Sequence, residues 1–107
     1  TQLFVHVGKE HFEIVVIENQ KLLLFNSFEY QTKEDFIYYI LFTAEQLKLN
    51  PETLKLQLLG EISEESDLFK IAYRYIRNIS LMNVFHTQKH NDFSTLENLK
   101  YFILFNS

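Results

Sequence analysis

The chain has 107 residues, a net charge of −4 at pH 7 and no cysteine. That length fits one domain with a small core, and a content of 47% hydrophobic and 16% aromatic residues, with eleven Phe and six Tyr, excludes intrinsic disorder. The ten Lys and Arg are dispersed, which excludes a general nucleic-acid surface, because phosphate binding needs clustered cations that release counterions. The nearest cluster, Lys70, Arg74 and Arg77, reads as the solvated face of a helix. Without cysteine there is no disulfide, thiol nucleophile or cysteine-based zinc site. No apolar run approaches the roughly 18–20 residues of a membrane helix, and no signal peptide is visible, so a cytoplasmic location is expected. A single domain over residues 1–107 is expected, and the start at Thr1 rather than at methionine fits a fragment of a longer chain.

Residues 3–7 (LFVHV) alternate in part, residues 8–11 make a polar turn, and residues 12–18 (FEIVVIE) are rich in β-branched side chains, so both segments read as strands. Asn19-Gln20 is a tight connection into a third strand over 21–28 (KLLLFNSF). Segments 12–17 and 22–25 are apolar on both sides of the pleat, which places them inside a sheet covered on both faces. The period then changes: Phe36, Ile37, Ile40, Leu41, Ala44 and Leu47 recur at helical spacing, Thr32 with Asp35 resembles a capping box, and Asn50-Pro51 is the stop.

Residues 54–59 (LKLQLL) alternate as a fourth strand, broken by Gly60. Ser63 or Ser66 can cap a second helix with the stripe Leu68, Phe69, Ala72, Tyr73 and Ile76. Residues 79–84 suit a fifth strand, residues 86–93 (HTQKHNDF) a loop, and Ser94 with Glu97 starts a last helix running to about Phe105. The order β-β-β-α-β-α-β-α predicts an α/β (α+β) fold of ribonuclease-H-like type. Its mixed five-stranded sheet has order 3-2-1-4-5 and helices on both faces, because parallel crossovers are right-handed and lay their helices on the sheet.

Element order and the opening hairpin together resemble one half of an actin-like ATPase, the superfamily of sugar kinases, heat-shock chaperone ATPases and pilus-assembly and secretion-platform proteins. The stretch "VHVGKEHFEIVVIENQKLLLFNSFEYQTKEDFIYYIL" also resembles an uncharacterised bacterial family of domains of unknown function in that superfamily, over about residues 3–84. The resemblance implies an Asp-x-Gly on the first hairpin, whose glycine lets backbone amides approach a phosphate and whose carboxylate holds a metal ion or positions water. Here the triplet is His6-Val7-Gly8, and neutral imidazole is a poor ligand for magnesium. The Gly-Gly turn implied after the fourth strand, close to the adenosine, reads Gly60-Glu61. A whole actin-like ATPase also closes its nucleotide site between two halves, and this chain has room for one.

The other catalytic readings are thin. A ribonuclease-H-type two-metal site needs a carboxylate on the first strand, which has none, and Glu34, Asp35 and Glu61 are accounted for by capping and the helix dipole. With only Gly8 and Gly60, no P-loop, G-x-G-x-x-G or G-x-S-x-G can form. His86 and His90, near Asp92, have the spacing of a helical metal pair but fall in a loop; His6 and His11 flank the first turn, where they could face across the hairpin, and read more simply as a strand and a turn histidine. No metal and no cofactor is expected. Tyr38, Tyr39 and Phe42 do not all fit the stripe of the first helix, and Tyr101, Phe102 and Phe105 leave the last helix apolar nearly all round, which suits a protein interface.

The expectation is therefore a catalytically degenerate actin-like half-domain, not an enzyme, acting by contact with a protein partner: itself as a homodimer, or the other half of a longer chain. Neither nucleic acid nor a membrane span is expected. The alternative is a domain that binds nucleotide or phosphate without hydrolysis, using Gly8, Lys9 and Gly60 as the binding residues.

Overall fold

The computed structural model describes residues 1–82. The expected loop at 86–93, the last helix and the end of the fifth strand lie outside them. The described elements are β1 (Gln2–Val7), β2 (His11–Glu18), β3 (Lys21–Glu29), α1 (Lys33–Gln46), β4 (Lys55–Gly60), α2 (Asp67–Tyr75) and β5 (Asn78–Leu81). The strands form one sheet in the order β3-β2-β1-β4-β5. β1, β2 and β3 meander antiparallel, while β4 pairs parallel with β1 and β5 parallel with β4. This is the mixed sheet expected from the element order.

Strand alternation sorts the apolar residues onto two faces. Leu3, Val5 and Val7 of β1, Phe12, Ile14 and Val16 of β2, and Leu56 and Leu58 of β4 share one cluster with Phe36, Ile37, Ile40 and Ala44 of α1 and Ile71 and Ala72 of α2. Both described helices therefore cover the same face. Phe4, Val15, Ile17 and Leu59 form a second buried cluster on the opposite face. The third helix, expected there by the two-faced arrangement, lies outside the described residues.

Phe12 is the hub of the first cluster. Its ring centroid lies 4.9 Å from that of Phe36 and 5.5 Å from that of Phe28, and Phe28 stacks on Tyr39 at 4.5 Å. Offset and edge-on pairs of this kind add about 0.5–1.5 kcal/mol each beyond area burial. On α1, Thr43 is also buried, a position the apolar pattern omits; its hydroxyl donates to the Tyr39 carbonyl at 2.9 Å, which satisfies it locally.

The helix starts follow the sequence. The Thr32 hydroxyl accepts from the Asp35 amide at 3.1 Å, and the Asp35 carboxylate accepts from the Thr32 amide at 3.3 Å, completing the capping box. Ser66 caps α2 by accepting from the Phe69 amide. The end of α1 differs from expectation: it stops at Gln46, before Asn50-Pro51. Lys48 takes a left-handed φ of 58°, Leu49 N–H donates to the Ala44 carbonyl at 2.8 Å, and Lys48 N–H donates to the Glu45 carbonyl at 3.0 Å. That is a Schellman closure with lysine where glycine is usual, so no composition signal marked it. On α2 the buried residues are Ile71 and Ala72, whereas Tyr73 is 63% exposed, so the expected stripe is rotated.

The third strand also corrects the sequence reading. Residues 22–25 were expected inside a sheet covered on both faces, yet β3 is an edge strand and Leu23 is 51% exposed. The register shifts opposite Val16 and Ile17, which pair with Leu24 and Leu22 and leave Leu23 as an extra residue. The bulge breaks alternation, which is why the run LLLF looks two-sided in sequence and blunts the edge in space.

Candidate functional site

The parallel strands β1, β4 and β5 end at the same edge of the sheet, the edge at which open α/β sheets place ligands. Two features singled out in the sequence meet there. Register pairs Val7 with Gly60, so the His6-Val7-Gly8 hairpin and the Gly60-Glu61 turn are neighbours. Gly60 has φ +95°, and a Cβ placed on it would stand 2.5 Å from the Val7 carbonyl oxygen and 3.0 Å from the His6 ring. The glycine is needed because two backbones touch. Glu61 N–H donates to the Val7 carbonyl at 2.8 Å, locking the contact.

Gly8 is committed to the hairpin. Its N–H donates to the His11 carbonyl at 2.8 Å, and its carbonyl accepts from the Tyr30 hydroxyl at 3.0 Å. A Cβ on Gly8 would meet the His11 ring at 3.0 Å and the His11 carbonyl at 3.2 Å. Lys9 is exposed at the tip of the turn. Thus Gly8 and Gly60 lie at one edge, but the Gly8 amide that a phosphate would need already has an acceptor.

His6, the residue in place of the hairpin carboxylate, is opposite Glu13 in the β1–β2 register. Its Nδ1 lies 2.7 Å from Glu13 Oε1, and His11 Nε2 lies 3.1 Å from Glu13 Oε2. One largely buried carboxylate therefore bridges two imidazoles on the face opposite α1 and α2. The sequence reading paired His6 with His11 across the first turn but did not single out Glu13 between them. The signal was the hairpin itself, because a turn centred on Lys9-Glu10 makes positions 6 and 13 partners. The two imidazoles engage different oxygens of the carboxylate, and no described group of three or more His, Asp or Glu has the arrangement of a metal site.

Around the turn the charge is negative. The Tyr30 phenol is pushed above its ordinary pKa by burial first and then by the carboxylates of Glu61 and Glu10. The same field disfavours an incoming phosphate. The donor set at this edge, with an imidazole for the carboxylate, an engaged Gly8 amide and two flanking glutamates, does not fit the magnesium nucleotide of the actin-like fold. Asp35 is occupied by its cap.

The interface candidates separate. Tyr38 is 59% and Phe42 41% exposed, and their rings stack at 6.0 Å on the outer side of α1. Tyr39 is half-buried against the core. Tyr101, Phe102 and Phe105, like His86, His90 and Asp92, lie outside the described residues.

Residues 1–79 match the family model described as "Protein of unknown function (DUF3822)". The chain belongs to that family. This DUF3822 domain is also similar to a crystal structure from Bacteroides thetaiotaomicron VPI-5482, a protein described as having an actin-like ATPase fold and unknown function. The TM-score is 0.69 at 33% identity over 78% of this chain and 34% of that one. The domain thus has the actin-like fold and spans about a third of the length of that relative. No curated protein matches it. No described helix is long and apolar enough to cross a membrane.

Proposed function

We propose that this domain is a catalytically degenerate actin-like half that works as a protein-interaction or assembly module and not as an enzyme. The observation that carries the reading is the hairpin. Where the fold would present a metal-holding carboxylate stands His6, with Nδ1 against Glu13, and the adjacent Gly8 amide is spent on His11. The Glu10 and Glu61 field supports the same conclusion, and it weighs against the phosphate-binding alternative at Gly8, Lys9 and Gly60, where a single exposed lysine would face two carboxylates.

The contact surface in this reading is the exposed Tyr38–Phe42 stack of α1, with Tyr101, Phe102 and Phe105 of the expected last helix as separate interface candidates outside the described residues. The partner is a second copy or the remaining part of a longer chain, consistent with the relative being about three times the matched length. The domain acts as one unit in the cytoplasm. Calorimetric titration with magnesium-ATP, with light scattering before and after, tests this. No heat together with a dimer or larger species is expected. Micromolar ATP binding with a change in mass would overturn it.

A further inference from the structure

At the edge of the sheet opposite the hairpin, where β4 and β5 begin, a cleft of about 330 Å³ opens between the end of α2 and the turn before β4. It is lined by Glu52, Tyr73, Arg74, Tyr75, Ile76 and Arg77. We propose that this cleft binds an acidic peptide segment of a partner protein, with Arg74 and Arg77 receiving carboxylates and Tyr73 and Tyr75 receiving the apolar side chains between them. The assignment rests on the interaction-module reading and gives that module a partner chemistry.

Four features carry it. The chain has net charge −4, yet here two guanidiniums face one carboxylate, so the cleft is complementary to an acidic ligand against the trend of the molecule. Arg77 Nη1 already holds the Glu52 carboxylate at 3.4 Å, between side chains 75% and 67% exposed. Glu52 acts as a stand-in for a ligand carboxylate, and an exposed pair of this kind is weak enough for a better-placed carboxylate to replace it. Arg74 has no ion-pair partner among the described residues. Tyr73 and Tyr75 are 63% and 52% exposed beside the buried floor residue Ile76, with the Tyr73 ring held by a stack on Phe69 at 6.0 Å. Arg and Tyr are residue types enriched at protein-recognition surfaces. A bare phosphate would leave both rings unused and would meet Glu52.

A fluorescein-labelled nonapeptide of alternating glutamate and leucine, titrated against the full chain by anisotropy, provides the test. Half-saturation at about 10–100 µM in low salt is expected, weakening as salt is added. Arg74→Glu with Arg77→Glu is expected to weaken binding at least about tenfold, and Glu52→Gln to tighten it about two- to threefold by freeing Arg77. All three positions are exposed, and circular dichroism establishes that the variants fold; Arg74→Gln with Arg77→Gln serves as the milder pair. No saturation, binding indifferent to charge reversal, or full displacement by equimolar inorganic phosphate would overturn the cleft assignment. A chain that self-associates but ignores the peptide overturns the cleft alone. A chain that binds magnesium-ATP overturns the reading beneath it.

Discussion

Gly60→Ala separates a structural glycine from a ligand-facing one. The added Cβ would stand 2.5 Å from the Val7 carbonyl oxygen, a backbone atom that cannot turn aside, and the residue would have to hold φ +95°. The backbone strain costs about 1–3 kcal/mol for a side-chain-bearing residue. Displacing β4 from β1 also weakens the 2.8 Å bond from Glu61 N–H to the Val7 carbonyl, worth about 1 kcal/mol. Together these give a loss of about 2–4 kcal/mol, a large part of the 5–15 kcal/mol typical of a domain. Urea denaturation followed by circular dichroism should show the midpoint falling by about 2 M at a slope of about 1.5 kcal/mol/M. Gly8→Ala is the internal control: its Cβ meets the half-exposed His11 ring at 3.0 Å and the His11 carbonyl at 3.2 Å, so neighbours need give only a few tenths of an ångström, no positive φ is required, and a loss of about 1 kcal/mol is expected. If Gly60→Ala costs less than about 0.5 kcal/mol, the close approach of β1 and β4 is not what demands the glycine, and the argument fails.

Phe12→Ala removes the hub of the aromatic cluster and should cost about 3–5 kcal/mol in the same assay. Gln20→Gly relieves a φ of 65° in the two-residue turn between β2 and β3 and should gain about 1 kcal/mol, read as a higher melting temperature. Lys48→Gly at the end of α1 should likewise gain about 0.5–1 kcal/mol, the strain relieved being offset in both variants by the freedom glycine gives the unfolded chain. Tyr30 has a folded-state pKa raised above the ordinary 10.0 by burial and by Glu61 and Glu10, so the folded chain holds the phenolic proton more tightly than the unfolded one. That contribution to stability is intact below the unfolded pKa and is lost as pH rises through the folded one. The urea midpoint should therefore fall with rising alkalinity more steeply in the parent than in Tyr30→Phe.

The chain order of the elements carried the sheet. Three meandering strands followed by helical crossovers leave few topologies, and Thr32 with Asp35 marked the first helix start and Ser63 or Ser66 the second, of which the structure uses Ser66, because caps are chemical signals written in single residues. What the sequence concealed were local backbone choices made by residues that do not advertise them: Lys48 in a glycine position, Gln20 in a left-handed turn, and Leu23 as a bulge inside an apolar run. Periodicity assumes regular geometry, so each irregularity misplaced its neighbours, and the end of α1 and the burial of β3 were misread for that reason. The site was half legible. His6, Gly8 and Gly60 stood out one by one, whereas Glu13 became meaningful only when register set it across from His6.

That cross-strand pair bears on how such a site would be lost. In an antiparallel hairpin the residue opposite a carboxylate must tolerate its charge, and Glu13 would not: two carboxylates facing each other across β1 and β2 repel unless a cation stands between them. With His6 in place, the same glutamate gains an imidazole at 2.7 Å and a second from His11 at 3.1 Å, and the hairpin holds together from its own side chains. The His6-Glu13-His11 bridge thus supplies from within the chain side-chain partners for the Glu13 carboxylate. Restoring the carboxylate by His6→Asp alone is then expected to weaken the fold without creating a metal site, whereas His6→Asp with Glu13→Gln should recover most of the loss. Urea midpoints with and without millimolar magnesium read both terms. A single His6→Asp variant that is as stable as the parent without magnesium would refute the repulsion expected between facing carboxylates, and one that magnesium strongly stabilises would show that the edge can still take the ion.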